Sequence, residues 1–139
     1  MNYLPAYLDT SAIVKLVVVE RETDDLLEAL ARWPDRVSSA LAVVEVHRAL
    51  RRINASASQV ARADAILDGL VLLRLDDAML AKAGALEARE LRSLDAIHLA
   101  AALTLGDDPA AFITYDARLA RAAERLRLPV VHPGADSLE

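Results

Sequence analysis

The sequence predicts an α/β domain built on a mainly parallel sheet, and three observations support this fold class. Short apolar runs alternate along the chain with longer stretches of helical period, which is the pattern of repeated strand–helix units. The length of 139 residues corresponds to one domain spanning 1–139. A hydrophobic fraction of 55% is sufficient for a sizeable core.

The N-terminal half begins with an apolar run that is typical of a buried strand. This run, Tyr3–Leu8, ends at Asp9, and Thr10 or Ser11 is then positioned to cap a helix that continues to Val18. Further along, the patterns predict a helix over Glu22–Trp33, a short strand over Arg36–Ser39, a helix over Ala40–Ile53 and a helix over Val60–Leu70. The second helix is stopped by Pro34.

The C-terminal half repeats the alternation of strands and helices. The patterns predict a strand over Leu70–Leu75, a helix over Ala78–Leu91 capped by Asp76–Asp77, and a helix over Leu94–Leu105 capped by Ser93. A turn over Gly106–Pro109, a strand over Phe112–Tyr115, a helix to about Arg127 and a short strand over Pro129–His132 complete the chain.

Composition excludes several classes of protein. The absence of cysteine excludes a disulfide scaffold, a cysteine nucleophile and a thiolate metal site. The longest stretch without Asp, Glu, Lys or Arg, Ala96–Gly106, is too short to span a membrane, and the N-terminus lacks the features of a signal peptide. We therefore expect a cytoplasmic protein. The net charge of −5 argues against a broad basic surface for nucleic acid.

Two acidic residues directly follow predicted strands. Asp9 follows the first strand and Asp116 follows Phe112–Tyr115. Because ligands bind at the carboxyl ends of strands in open parallel sheets, both side chains are candidates for a functional site. Either acid could instead cap the helix that follows it.

Two further acids stand out because their neighbours are apolar. Glu45 lies in mid-helix between valines, away from the predicted core stripe of Val43, Val46, Leu50 and Ile53. It could simply form an ion pair with Arg48, one turn along. Asp95 begins an otherwise nearly uncharged helix, where burial is costly without a positive partner such as His98. We interpret a lone histidine in such a helix as a core residue rather than a metal ligand.

Carboxylates that gather within about 4–6 Å repel one another, and a divalent cation removes this penalty. Oxygen ligands alone favour a hard cation, Mg²⁺ or Mn²⁺. Such an ion activates water and polarises phosphoryl oxygens, which points to phosphoryl chemistry. Spacing alone does not prove that the four acids converge.

Four motifs in this order resemble those of the PIN-domain ribonucleases, and within them the VapC-type toxins of bacterial toxin–antitoxin pairs. The motifs are Tyr7–Ala12, the helix containing Glu45, Ser93–His98 and Phe112–Asp116, and the similarity extends over essentially the whole chain. Each motif is short, but four in order are fairly specific.

The resemblance implies an α/β/α sandwich around a parallel sheet, with an acidic pocket that holds Mg²⁺ or Mn²⁺. The matching acidic positions are Asp9, Glu45, Asp95 and Asp116, while Ser11 and Thr114 match positions that support the site by hydrogen bonding. The implied activity is hydrolysis of RNA, usually transfer or ribosomal RNA, by a metal-activated water. The implied partners are a second copy of the chain and a small VapB-type antitoxin.

Basic residues offer a further interpretation. Arg48, Arg51 and Arg52 cluster on one predicted helix, where Arg48 and Arg52 in particular could contact RNA phosphates or the antitoxin. A solvated helix face explains them equally well.

Two alternatives to a ribonuclease differ in class. A non-catalytic RNA-binding or scaffold domain with a relic acidic pocket would bind RNA without metal-dependent turnover. An aspartyl phosphotransferase would use Asp9 as nucleophile, but haloacid-dehalogenase-like sites usually place a second aspartate where this chain has Ser11.

Overall fold

Five strands and seven helices alternate along residues 4–106 and 109–138, the ranges that this computed structural model describes. The strands are β1 (Ala6–Leu8), β2 (Arg36–Ser39), β3 (Val71–Leu73), β4 (Ala111–Ile113) and β5 (Val130–Val131). The helices are α1 (Thr10–Val17), α2 (Thr23–Leu30), α3 (Leu41–Arg52), α4 (Ala57–Asp68), α5 (Asp77–Gly84), α6 (Ser93–Leu103) and α7 (Ala117–Arg125).

The strands form one parallel sheet in the order β3-β2-β1-β4-β5. β1 lies at its centre, with Tyr7 opposite Val37 of β2 and Phe112 of β4. The central strands β1 and β4 are apolar and buried throughout, as expected when both faces of a parallel sheet are covered. The predicted α/β class with a parallel sheet is confirmed.

Helices cover both faces of the sheet. Side chains of a strand alternate between faces, so Ala6 and Leu8 pack with α1–α4, whereas Tyr7 packs with α5–α7. The two resulting cores account for the amphipathic character of the flanking helices. The architecture is therefore the α/β/α sandwich that the resemblance implied.

Several predicted helix ends differ from those observed. Asp9, rather than Thr10 or Ser11, caps α1, because its carboxylate accepts a hydrogen bond from the Ala12 N–H at 2.9 Å. Ser93 is the first residue of α6 rather than its cap. α5 ends at Gly84 instead of Leu91, consistent with the low helix propensity of glycine.

The start of α4 was placed too late by the sequence patterns. The helix begins at Ala57, where Ser56 and Gln59 form a reciprocal capping box. Tyr3 and Asp107–Asp108, which belong to a predicted strand and a predicted turn, lie outside the described residues.

The predicted core stripe of α3 was partly wrong. Val46 and Leu50 are buried as expected, but Val43 and Ile53 are 38% and 54% exposed. Ala42 occupies the third buried position, since residues 42, 46 and 50 follow one another at intervals of four. The buried side of α3 faces α1 and α4, with the small Ala42 on that side and Val43 and Val44 turned outward.

The chain after β5 folds back towards α2. The Tyr115 hydroxyl donates to the Pro133 carbonyl at 2.6 Å, and Gly134 adopts a φ of +85°. A Cβ at Gly134 would lie 2.9 Å from the Glu22 Cα, so only glycine fits this approach. Within the described ranges, no helix has the length and apolar character needed to cross a membrane.

Candidate active site

A cleft of about 450 Å³ opens at the carboxyl edge of the sheet. All four acids selected from the sequence, Asp9, Glu45, Asp95 and Asp116, line it. Asp9 follows β1 and Asp116 lies just beyond β4, the two adjacent central strands, while α3 and α6 supply Glu45 and Asp95. The structure therefore brings together residues as far apart in the chain as Asp9 and Asp116.

Asp9 is the most deeply placed of the four, with 3% of its surface exposed. Its carboxylate accepts hydrogen bonds from the Ser11 hydroxyl at 2.7 Å and from the Thr114 hydroxyl at 2.6 Å, in addition to the helix-capping bond from Ala12. Burial raises the pKa of Asp9 above its ordinary value, although nearby His98 and these hydrogen bonds oppose the rise. Ser11 and Thr114 thus lie where the resemblance places supporting hydrogen bonds.

Thr114 connects the two strand-end acids. Its hydroxyl donates to Asp9 and accepts the Asp116 N–H at 3.0 Å. The Ser11 hydroxyl in turn accepts the Tyr115 N–H at 2.8 Å. These cross-strand bonds fix Asp9 relative to the segment that carries Asp116.

Glu45 is held by two donors rather than by Arg48. One carboxylate oxygen accepts the Thr10 hydroxyl at 2.6 Å and the His98 Nε2–H at 2.7 Å. Burial acts to raise the pKa of Glu45, but the hydrogen bonds from His98 and Thr10 outweigh it and leave the pKa below its ordinary value. The expected partnership of His98 with Asp95 is replaced by this contact with Glu45.

His98 is buried between Glu45 and Tyr7. The Tyr7 hydroxyl lies 2.7 Å from His98 Nδ1, and the Tyr7 ring stacks on Phe112 with centroids 5.4 Å apart. Burial and the charge of Asp9 hold the pKa of Tyr7 well above its ordinary value, so the phenol is a donor. Because the phenol donates to Nδ1, we assign an imidazole proton to Nε2, where it faces Glu45. Both ring nitrogens are thereby engaged within the protein.

Asp95 and Asp116 form the more open side of the cleft. Asp95 is half-buried in the first turn of α6; burial and then the charges of Asp116 and Glu45 raise its pKa. Asp116 is exposed and caps α7, accepting the N–H groups of Arg118 at 2.9 Å and Leu119 at 3.1 Å. Asp116 therefore caps α7 and lines the cleft at the same time.

The donor set suits a hard divalent cation. Its acids present carboxylate oxygens, and the pKa of Asp95 is raised first by burial and then by the charges of Asp116 and Glu45, a repulsion that a cation would relieve. Among residues 4–106 and 109–138, no three His, Cys, Asp or Glu side chains are grouped closely enough to hold an ion by themselves. Mg²⁺ retains several waters and commonly takes only one or two protein carboxylates, so the site fits a largely hydrated ion.

Sequence reasoning missed the basic residues nearest the cleft. Lys15 lines it and binds Glu20 at 3.1 Å and Glu22 at 3.0 Å. Arg92, Arg118 and Arg121 line an adjoining cleft, whereas Arg48 and Arg52 are exposed on α3 and belong to neither lining as the structure describes it. The spacing of Arg118 and Arg121, directly after a strand-end acid, was the available signal.

Comparison with known proteins connects this geometry with one family. The model of the PIN domain family matches residues 6–125. The chain is 50% identical over 127 residues to Ribonuclease VapC46 of Mycobacterium tuberculosis, covering 91% of this chain and 96% of that protein. It is 43% identical over 136 residues to Ribonuclease VapC35 of the same species, with 92% and 96% coverage.

Solved structures show the same fold at low sequence identity. One is VapC20 of Mycobacterium tuberculosis, described as a sarcin–ricin loop cleaving toxin, with a TM-score of 0.72 and 18% identity over 92% of this chain and 99% of that chain. Another is VapBC2 from Rickettsia felis bound to a DNA fragment from its promoter, with a TM-score of 0.70 and 14% identity over 94% and 99%.

Proposed function

The chain belongs to the PIN-domain family, as a ribonuclease of the VapC type, and on that premise we propose that its four-carboxylate cleft hydrolyses RNA phosphodiester bonds with Mg²⁺ or Mn²⁺ as cofactor. The observation that carries this proposal is the convergence of Asp9, Glu45, Asp95 and Asp116 on one cleft. Three of these acids influence one another directly, since the charges of Asp116 and Glu45 raise the pKa of Asp95. Such repulsion is typical of a site that functions with a cation.

Asp9, Glu45, Asp95 and Asp116 would together hold a largely hydrated ion, in part through the waters that it retains. When bound, it would polarise the phosphoryl oxygen and increase the acidity of the attacking water. Asp9 is fixed for this role by Ser11 and Thr114. Glu45 is fixed by Thr10 and His98.

His98 and Tyr7 act as positioning residues behind Glu45. Because the phenol occupies Nδ1, the imidazole presents its Nε2–H to the carboxylate and keeps one oxygen in place. Partners of this kind fix the orientation of a carboxylate before a substrate arrives. Neither residue needs to contact the RNA.

We propose three partners for the chain. The substrate is transfer or ribosomal RNA in the cytoplasm, and the named activity of VapC20 on the sarcin–ricin loop supports a structured RNA. A VapB-type antitoxin is the second partner, supported by relatives solved as toxin–antitoxin complexes. A second copy of the chain is the third, and exposed Val43 and Val44 of α3 are candidates for that interface.

Asp95→Asn tests the proposed chemistry. We expect loss of cleavage by at least about 100-fold, because one charged ligand is removed while size is preserved. The measurement is the rate of cleavage of total RNA, with mapped ends, in Mg²⁺ or Mn²⁺ and in EDTA. Asp68→Asn, an exposed acid at the end of α4, is the matched control and should cleave normally.

The fold should survive this substitution. A carboxyl whose pKa is raised on folding favours the native state below its unfolded pKa and loses that contribution as pH rises through its folded pKa. At neutral pH in EDTA, ionised Asp95 therefore destabilises the protein, and the asparagine variant should unfold at an equal or higher urea concentration. Full cleavage by a folded Asp95→Asn protein would disprove the mechanism; RNA binding without turnover by the wild type would indicate a non-catalytic domain.

A further inference from the structure

We call the cleft lined by Asp9, Glu45, Asp95 and Asp116 the acidic cleft. A second cleft of about 420 Å³ adjoins it and shares Glu45, Asp95 and Asp116 with it. Its remaining lining includes three exposed arginines, and we call it the arginine cleft after Arg92, Arg118 and Arg121. Arg92 immediately precedes α6, and the other two lie in the first turns of α7. Positive charge thus adjoins the acidic cleft on one side.

The arginines of α7 are arranged along one face of the helix. Arg118, Arg121 and Arg125 are separated by three and four positions, which places neighbouring Cβ atoms about 5–6 Å apart. Arg125, the most distant from the acidic cleft, is paired with Glu90. Within the part of the chain that the structure describes, Arg118, Arg121 and Arg92 form no ion pair. Their guanidinium groups are therefore available to an external anion.

The backbone reinforces this positive potential. α6 and α7 both begin at the arginine cleft, and each helix N-terminus carries a partial positive charge. Asp116 satisfies two N–H groups of α7, so the arginines rather than the free backbone provide most of the anion affinity. Guanidinium groups bind phosphate and carboxylate oxygens with two parallel hydrogen bonds.

We propose that Arg118 and Arg121, with Arg92 across the cleft, bind backbone phosphates of the RNA strand next to the bond cut in the acidic cleft. This inference rests on the proposed ribonuclease function. A strand whose scissile phosphate lies among four carboxylates must place its next phosphates beside that cleft, and the arginine cleft is continuous with it. The arginines also offset the repulsion that the acids exert on a polyanion. Phosphate contacts of this kind position the strand without reading its sequence.

Binding without cleavage provides the test. Fluorescence anisotropy of a labelled, unstructured single-stranded RNA is measured in EDTA at several KCl concentrations. We expect Arg118→Gln/Arg121→Gln to bind about tenfold more weakly than wild type, with the slope of log affinity against log salt reduced by about 1.4 for two lost phosphate contacts. Arg32→Gln/Arg74→Gln is the matched control, because it removes the same charge from two exposed arginines outside the arginine cleft.

The control pair should retain most of the affinity and the wild-type slope. Equal binding and equal slopes in the two double variants would overturn the proposal. A labelled poly-glutamate peptide is measured in parallel, and selective loss of peptide binding with RNA binding intact would also overturn it, in favour of an acidic protein partner. The ribonuclease proposal can fail separately from this inference. In that case the wild-type protein binds RNA through these arginines but does not cleave it in Mg²⁺ or Mn²⁺.

Discussion

The hydroxyl group of Tyr7 is connected to the acidic cleft through one residue, His98. The phenol binds His98, and His98 binds Glu45, each at 2.7 Å. The Tyr7 hydroxyl, both ring nitrogens of His98 and one carboxylate oxygen of Glu45 are therefore paired inside the protein, where an unpaired buried group costs about 1–3 kcal/mol. The stacking of Tyr7 on Phe112 does not depend on the hydroxyl.

The substitution Tyr7→Phe should separate the packing of the Tyr7 ring from the role of its hydroxyl in positioning Glu45 through His98. We expect the free energy of unfolding to fall by about 1–3 kcal/mol, because His98 Nδ1 loses its donor. We expect kcat for RNA cleavage to fall by about tenfold with little change in KM, because Glu45 is less well fixed. Urea denaturation and steady-state cleavage assays measure the two effects.

A matched control for Tyr7→Phe is available. Tyr115→Phe also removes one phenol hydroxyl, but that hydroxyl binds the Pro133 carbonyl in the C-terminal segment. It should lower stability without the selective loss of kcat. If Tyr7→Phe lowers stability and leaves kcat intact, the pair Tyr7–His98 is structural only.

At the scale of single elements, α7 depends on a residue that the site also uses. Asp116 caps this helix through one carboxylate oxygen, which accepts the N–H groups of Arg118 and Leu119. Asp9 has the same double role at α1. Two of the acids that line the cleft are thus also the N-terminal caps of the helices α1 and α7.

Substitutions at Asp116 should distinguish its two roles. Asp116→Asn retains a capping oxygen, so stability should remain within about 0.5 kcal/mol of wild type, whereas Asp116→Ala should lose about 1 kcal/mol. Both should reduce RNA cleavage, because both remove the charge. Urea denaturation and cleavage rates are measured on each variant; wild-type cleavage by Asp116→Asn would show that this residue serves only as a helix cap.

The strands and helices also show which features of the fold can be predicted from sequence patterns. The strands were predictable because parallel strands buried on both faces are short apolar runs, as Tyr7 and Phe112 illustrate. The side of α3 that is buried was not predictable, since the choice between burying Ala42 and burying Val43 depends on how this helix packs against α1 and α4. Hydrophobicity alone favours the valine.

The acids of the cleft, and with the resemblance the supporting residues Ser11 and Thr114, were predictable, whereas the support of Glu45 by His98 was not. Asp9 and Asp116 were recognisable at strand ends, and Glu45 and Asp95 by their apolar neighbours. The contact between His98 and Glu45 joins residues 53 positions apart, so no local pattern contains it. The arginine cleft likewise exists only after α6 and α7 have both packed onto the same face of the sheet.

For the whole molecule, the proposed cofactor should raise the stability of the fold. A ligand that binds only the native state stabilises it by about 2.7 kcal/mol at one hundred times its Kd. We expect the Tm of the wild type to rise by several degrees with Mg²⁺ or Mn²⁺. Asp95→Asn should show a smaller rise, and KCl at equal ionic strength should show none.

Calorimetric scans over a range of ion concentrations measure this effect. An equal rise in Tm for wild type and Asp95→Asn would place the bound ion away from the cleft. An equal rise with KCl would attribute the effect to screening of the −5 net charge rather than to a specific site.

The central position of β1 also governs the order in which the molecule can be made. Its contact with β2, between Ser38 and Leu8, spans 30 residues, whereas the contact that joins Thr114 to Asp9 spans 105. During synthesis, β1 and β2 can therefore pair while Asp95 and Asp116 are still to be added. The distant pairing must also overcome a larger loss of chain entropy before it is stabilised. The acidic cleft can thus be completed only after Asp116 has been synthesised, later than the pairing of β1 with β2.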